Sequence, residues 1–518
     1  MTHVTHVTHA ADADRAAGPT LARLAEIAGA ELVHAPRADW PVASVSLDSA
    51  AVEPGGLFAA LPGTRVHGAR YAFDSAAGAI LTDREGLAII AGTPDTRPVL
   101  VVDDVRRVLG EVAAEVYGWA SKSMKLIGVT GTSGKTTTTY LLERGLTAAG
   151  CSVGLIGTTG TRIKGVDVPT TLTTPEAPTL QALFARMARE GVTHVVMEVS
   201  SHALMLGRVG GTLFDAAGFT NLSQDHLDFH PTMEDYFEAK ALFFDPASPL
   251  HAERSVICVD DEWGERMARV ARNPVTVGTR GQAGVDVAAT QLGADDSGAQ
   301  EVELVLGDAT YEFTLPLPGA FNVANAALAV ALAAEVGVDP ETFISGLSEA
   351  SVPGRMQRID RGQDFVAVVD YAHKPAAVAA VLDTLRGQVS GRVGVVLGAG
   401  GDRDASKRPV MGREAAVRAD LVIVTDDNPR TEDPAAIRAA VLEGAREAAG
   451  AGAEIREVGH RGEAIDQLVA WARPGDAVIV VGKGHEVGQI VGTTTHHFDD
   501  REEMARALEA RVHRIGGE

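Results

Sequence analysis

Residues 128–142 read GVTGTSGKTTTTYLL. The run KLIGVT that leads into them has the length and apolar character of a buried strand, and KTTTTYLL opens a helix. The glycine-rich stretch between is therefore a strand-to-helix turn. Glycines let the backbone wrap a phosphate, helix N-terminal amides face it, and Lys135 adds a point charge. Gly131, Thr132, Ser133, Gly134, Lys135, Thr136 and Thr137 form this cradle, with Thr136 placed to reach a metal ion. The usual spacing G-x-x-x-x-G-K-[ST] is not met, because Val stands at position 129. A plain turn with a surface lysine is the alternative, and TGTSGKTT directly after an apolar strand argues against it.

The surroundings fit a phosphate site. HVVMEVSSHAL (194–204) is an apolar strand ending in Glu198, and a carboxylate at a strand tip beside such a loop is a plausible Mg²⁺ ligand. NLSQDHLDFH (221–230) gathers Asp225, His226, Asp228 and His230. Zinc is conceivable there, but without partnering cysteines a magnesium and substrate loop is the better reading. Lys240, in YFEAKALFF, has the spacing of an ordinary helix-surface lysine. Alternation over 283–315 indicates an antiparallel section, a helix FNVANAALAVALAAEVG follows, and SVPGRM (351–356) punctuates a domain boundary.

At 518 residues the chain is too long for one core, and three domains of roughly 100–250 residues are expected. A formal charge of −23 argues against nucleic acid or an anionic membrane as partner, so an anionic ligand must be held by local cations. Cys151 and Cys258 lack metal-ligand spacing and read as core residues in a reducing compartment. No basic region followed by an apolar run opens the chain, and nothing approaches the ~18 apolar residues of a membrane span. A cytoplasmic location without membrane insertion is expected. The opening MTHVTHVTHAADADRAAG reads as a disordered tail rather than a histidine metal site. Expected boundaries are 1–18 for that tail, then domains at 19–104, 105–353 (starting with a helix over 105–120) and 354–518.

In the last segment FVAVVD, RVGVVLG, LVIVT and AVIVVG alternate with helical stretches, the rhythm of a mostly parallel, doubly wound α/β sheet. Their exits are polar: Asp370-Tyr-Ala-His373, Gly398-Ala-Gly-Gly-Asp-Arg403, Asp427-Asn428-Pro429-Arg430 and Gly482-Lys-Gly-His-Glu486. In a parallel sheet all four meet on the ligand edge. They describe a site with two arginines and a carboxylate.

Taken in order, TGTSGKTT, EVSSHAL, NLSQDHLDFH, the lysine of YFEAKALFF, PGAFNVANAALA, PGRMQ, DYAHKP, GDRDASKRP, DNPR and GKGHE resemble the Mur ligase family, over essentially everything after about residue 40. The resemblance implies three α/β domains: an N-terminal UDP-binding domain, a central P-loop ATPase domain with a mostly parallel sheet, and a C-terminal Rossmann-like domain that brings the amino acid. It implies that ATP phosphorylates a carboxylate and that an amine attacks the acyl phosphate, giving an amide, ADP and phosphate. The DNPR form points to the branch adding meso-2,6-diaminopimelate to UDP-N-acetylmuramoyl-L-alanyl-D-glutamate in peptidoglycan precursor synthesis, most simply as a monomer. A lysine-adding ligase of the same family is the alternative. A folylpolyglutamate synthetase-like ligase, which lacks the N-terminal domain, is a more distant one, and a nucleotide switch would leave the four strand exits unexplained.

By the same resemblance Lys240 is carbamylated and supports a second Mg²⁺, and Thr136, Glu198 and His226 fall on metal-site positions. Asn322, Arg355 and Asp370 match segments that contact ATP. Leu47, Ser49, Thr64, Arg65, Val66, Thr173, Thr174, Ser200 and Arg208 match positions for the nucleotide-sugar peptide. Arg403, Asp427, Asn428, Pro429, Arg430, Gly482 and Glu486 fall to the amino acid, with Arg430 on its distal carboxylate. Two departures stand out: Leu206 replaces a frequent glutamine, and Thr64-Arg65-Val66 replaces a more polar triplet.

Overall fold

A computed structural model describes residues 18–35, 38–63, 65–227, 229–295, 298–448 and 452–516. Of the tail expected over residues 1–18 all but Gly18 lies outside the described residues, as do Thr64 and Asp228. The described residues build three large sheets in succession and a two-stranded one, Gly488–Val491 with Thr494–His497. The first has five strands in the order Glu31–Val33, Val99–Val101, Ala79–Thr82, Leu57–Ala59, Val45–Ser46, parallel except at the Glu31–Val33 edge. Its strands are two to four residues long, so it is a small platform.

The second sheet holds β1 (Lys125–Thr130) between β2 (His194–Glu198) and the strand Ala216–Phe219, all parallel. Both faces of β1 are covered, which is why it reads as one apolar run rather than an alternating one. It feeds α1 (Lys135–Ala148) through a turn that only glycine fits. Gly131 has φ 143° and Gly134 φ 89°. A Cβ would lie 1.9 Å from Thr220 Oγ1 at the first and 2.3 Å from Asn325 Oδ1 at the second. α2 (Met233–Ala241) and α3 (Ala320–Glu335) follow, the latter buried against α1. Strands Val287–Ala294, Gln300–Leu306 and Ala309–Leu315 pair antiparallel, as the alternation indicates. Two details differ from expectation. The helix from Val105 stops at Val116, because Gly118 (φ 74°) and Trp119 (φ 51°) turn the backbone left-handed. A short helix, Pro340–Ser345, follows α3.

The third sheet runs Gln357–Arg358, β3 (Val366–Asp370), β6 (Ala477–Val481), β4 (Val393–Leu397), β5 (Leu421–Val424), Glu454–Glu457, with β3, β6, β4 and β5 parallel neighbours. Their four polar exits therefore share one edge. α4 (Pro375–Gln388) leaves the exit of β3. A buried ion pair fixes this edge from behind: Arg461 donates to both Asp500 oxygens at 2.7 and 2.8 Å and to the Val481 carbonyl at 2.9 Å. Both side chains are fully buried. Removing one partner strands the other's charge, so Asp500→Ala is expected to cost roughly 3–5 kcal/mol. Chemical denaturation measures it; a loss near zero shows the pair is dispensable. Among the described residues no helix is long and apolar enough to cross a membrane.

Candidate active site

The phosphate loop and the strand exits of the third sheet face one another across a single cleft of about 1390 Å³. At one end the Lys135 ammonium donates to the carbonyls of Gly131 (2.9 Å) and Thr132 (3.1 Å). Desolvation, reinforced by the nearby cation of Lys374, pushes its pKa down to about 8. An ammonium held on its own loop's carbonyls beside another cation is a group awaiting an anion.

Thr136 donates to Glu198 Oε1 at 3.0 Å, and Thr158 holds both oxygens of Glu198 through its amide (2.8 Å) and hydroxyl (3.0 Å). This hydroxyl–carboxylate pair is an oxygen donor set suited to Mg²⁺, which keeps waters and takes substrate phosphate oxygens as its other ligands. Arg355 brings positive charge to the pair, its Nη2 donating to Thr136 Oγ1 at 3.0 Å, and Lys135 lies within electrostatic reach of Glu198. Among the described residues no three His, Cys, Asp or Glu side chains converge as a metal cage. His226 stands nearby with φ 54° and its Nε2 3.1 Å from Asp225 Oδ2. Desolvation holds its pKa down at about 3 against the pull of Asp225, leaving the neutral imidazole that ligates metals.

Lys240 corrects the sequence reading. It is 1% exposed, not a helix-surface lysine. α2 turns Tyr236 and Lys240, four residues apart, onto one face and packs that face under the loop. Lys240 Nζ donates to Gly131 O at 3.0 Å and lies 4.6 Å from the Tyr236 ring centre. Burial, then Lys135 and Lys374, drive its pKa well below the usual lysine range. With Gly131 it sits behind the cleft wall rather than on it.

The substrate positions divide. Thr173, Thr174, Ser200 and Arg208 line the cleft. Thr174 Oγ1 donates to the Glu198 carbonyl at 2.8 Å, and Arg208 Nε is fixed 2.8 Å from Glu176. Leu47, Ser49, Arg65 and Val66 lie outside this cleft, on the first sheet's loops. Asn322 lines it and donates to Pro318 O at 2.8 Å. Asp370 also lines it, but its carboxylate accepts from the amides of Met356 (2.6 Å) and Ala372 (2.7 Å), which makes it the organiser of the β3 exit.

At the opposite end Arg403, Asp427, Asn428, Arg430, Gly482 and Glu486 line the cleft, with Pro429 behind them. Arg430 makes no ion pair among the described residues; Asp426 is taken by Arg438 and Glu432 by Arg408. Its Nη1 donates to Gly401 O at 2.7 Å, leaving most of the guanidinium fork open. Burial and Asp427 raise the Glu486 pKa. Lys483, fully buried, donates to Asn428 Oδ1 (3.0 Å) and Glu486 Oε2 (3.3 Å). Arg461 Nη1 lies 4.0 Å from Asp427. Sequence reasoning missed Lys483 and Arg461 as supports; the first at least sits inside GKGHE. Among the charged groups lining this end, Asp427 and Glu486 suit ammonium groups and Arg403 and Arg430 suit carboxylates.

Profiles of the Mur ligase family match at residues 41–117 (catalytic domain), 129–333 (middle domain) and 354–484 (glutamate ligase domain). The chain is 63% identical over 479 residues to a UDP-N-acetylmuramoyl-L-alanyl-D-glutamate–2,6-diaminopimelate ligase of Corynebacterium glutamicum, covering 91% of this chain and 92% of that one. The chain belongs to the Mur ligase family. It is an ATP-dependent ligase of mixed α/β fold. A solved 2,6-diaminopimelate ligase superposes with TM-score 0.66 at 34% identity, covering 95% of this chain and 99% of the other. A MurF ligase from Thermotoga maritima solved with ADP has the same fold, with TM-score 0.63 at 20% identity over 91% of this Mur ligase and 98% of its own chain.

Proposed function

We propose that this Mur ligase joins meso-2,6-diaminopimelate to UDP-N-acetylmuramoyl-L-alanyl-D-glutamate, with ATP going to ADP and phosphate, as a cytoplasmic step of peptidoglycan precursor synthesis. The observation that carries it is the shared cleft: a phosphate cradle faces a pocket end with Asp427 and Glu486 for ammonium groups and Arg403 and Arg430 for carboxylates. The dipeptide's terminal carboxylate oxygen attacks the γ-phosphorus of ATP and ADP leaves. The free amine nitrogen then attacks the acyl carbon, phosphate leaves with its oxygen, and the nitrogen gives up a proton. Thr132 to Thr137 orient the phosphates, Lys135 answers charge gathering on the transferring group, and Thr174, Ser200 and Arg208 hold the peptide. Thr136, Glu198 and His226 are the residues to hold Mg²⁺, which when bound neutralises phosphoryl charge.

Lys240 supports a second ion as its carbamate. The supporting fact is its burial, which favours a neutral amine, and a neutral amine is the form that adds CO₂. Enzyme in ¹³C-bicarbonate is expected to show a carbamate carbon resonance that Lys240→Ala lacks, along with most activity lost in the variant. An active enzyme with a free amine overturns the assignment.

The whole reading is tested by ATP-dependent phosphate release with the UDP-muramoyl dipeptide, comparing meso-diaminopimelate with L-lysine. Release with diaminopimelate far above lysine is expected. Release that needs neither amino acid, or prefers lysine, refutes it.

A further inference from the structure

Three lysine amino groups, two of them charged (Lys135 and Lys374), converge on two carbonyl oxygens of the phosphate loop. Lys135 and Lys240 both donate to Gly131 O, while Lys135 and Lys374 share Thr132 O at 3.1 and 2.9 Å. Lys374 comes from the other side of the cleft, at the exit of β3. It is the residue before Pro375, so its backbone is extended (φ −130°, ψ 148°), and its side chain spans from the third sheet to the loop of the second. It is 6% exposed, and its second partner is Asp225 Oδ2 at 2.8 Å. Burial works to raise the Asp225 pKa, and Lys374 with the histidines outweighs it.

This arrangement is short of negative charge. Like cations sharing one acceptor away from water repel strongly, and among the described residues Asp225 and Glu198 are the carboxylates that answer Lys135. A polyphosphate supplies what is missing. We propose that Lys374 is a third phosphate-site lysine, delivered by the C-terminal domain, which exchanges Asp225 for the γ-phosphoryl oxygens of ATP and then for the acyl phosphate. The inference rests on the ATP-dependent ligase reading. It adds a cation of the amino-acid domain to the phosphate site, so the amine pocket and one activating charge lie on the same domain.

The test uses the full-length enzyme with Mg-ADP and a non-hydrolysable Mg-ATP analogue as calorimetric probes, plus steady-state kinetics. Lys374→Met is expected to bind Mg-ADP within about threefold of wild type, lose ~10-fold or more for the triphosphate analogue, and drop in kcat by ~10²-fold with KM for the amino acid little changed. Lys374→Arg, which keeps a cation, is expected to recover much of both. A purely structural tie lowers the melting temperature without changing the preference for triphosphate over diphosphate. Lys374→Met leaves Asp225 buried without its partner, so the Lys374→Met/Asp225→Asn enzyme is made alongside and is expected to show the same lost preference. Wild-type preference and kcat within threefold, in whichever of these folds, overturn the proposal. A wild type that binds neither nucleotide overturns the ligase reading itself, before any variant is compared.

Discussion

Lys135→Ala is expected to fold as the wild type does and to turn over roughly 10²–10³-fold more slowly. The first half follows from where the ammonium sits. Its hydrogen-bond partners are the carbonyls of Gly131 and Thr132, which retain other donors in Lys240 and Lys374. Alanine is the best helix former, so the first turn of α1 loses nothing, and one repelling cation leaves the loop. The second half follows from chemistry. On the proposed reading Lys135 meets the charge gathering on the transferring phosphoryl group, so its loss is expected to fall on kcat more than on binding. Phosphate release and thermal unfolding, measured on the same preparation, separate the two. Turnover within a few-fold of wild type in a folded variant rules out the loop as the phosphoryl-transfer site.

Arg430 carries the second large effect, and it is a selective one. Replacing it is expected to lower kcat/KM for meso-diaminopimelate by ~10²-fold while lysine, which lacks the distal carboxylate, changes less than about threefold. The choice of replacement matters. Arg430 has φ 51°, and its amide and carbonyl are tied to Ile490 O (3.0 Å) and Gly492 N (2.7 Å) of the hairpin Gly488–Val491 and Thr494–His497. Alanine is strained in that conformation, whereas asparagine tolerates it, so Arg430→Asn isolates the lost guanidinium from a disturbed loop. Arg430→Lys keeps the charge without the planar fork and is expected to fall between. Equal losses for both amino acids show that Arg430 shapes the pocket without selecting its occupant.

How far these features are legible in the sequence depends on how many chain segments each one needs. The phosphate loop is local: an apolar run, glycines at 131 and 134 and a lysine lie within a dozen residues, and the positive φ values are the reason those glycines are there. The four strand exits are legible because a repeated strand–helix rhythm puts them on one edge whatever the strand order. Lys240 is not legible. Its spacing matches a surface lysine, and only the packing of α2 beneath Gly131 buries it. Lys374 and Arg461 fail for the same reason, since each finds its partner far along the chain, at Asp225 and Asp500. Leu47, Ser49, Arg65 and Val66 were reached only through family resemblance, and the structure leaves them apart from the main cleft.

The pair Arg461–Asp500 also sets a schedule. Arg461 is made 39 residues before its partner, and without Asp500 its guanidinium keeps the Val481 carbonyl and, farther off, the acids Asp427 and Glu486. Domains form as units in the order of synthesis, so the phosphate loop, complete with its sheet, matures on the ribosome well before the loops bearing Asp427 and Gly482 are pinned. A nascent chain thus acquires its nucleotide cradle first and its amine pocket last, and becomes able to spend ATP productively only once the final helix has docked.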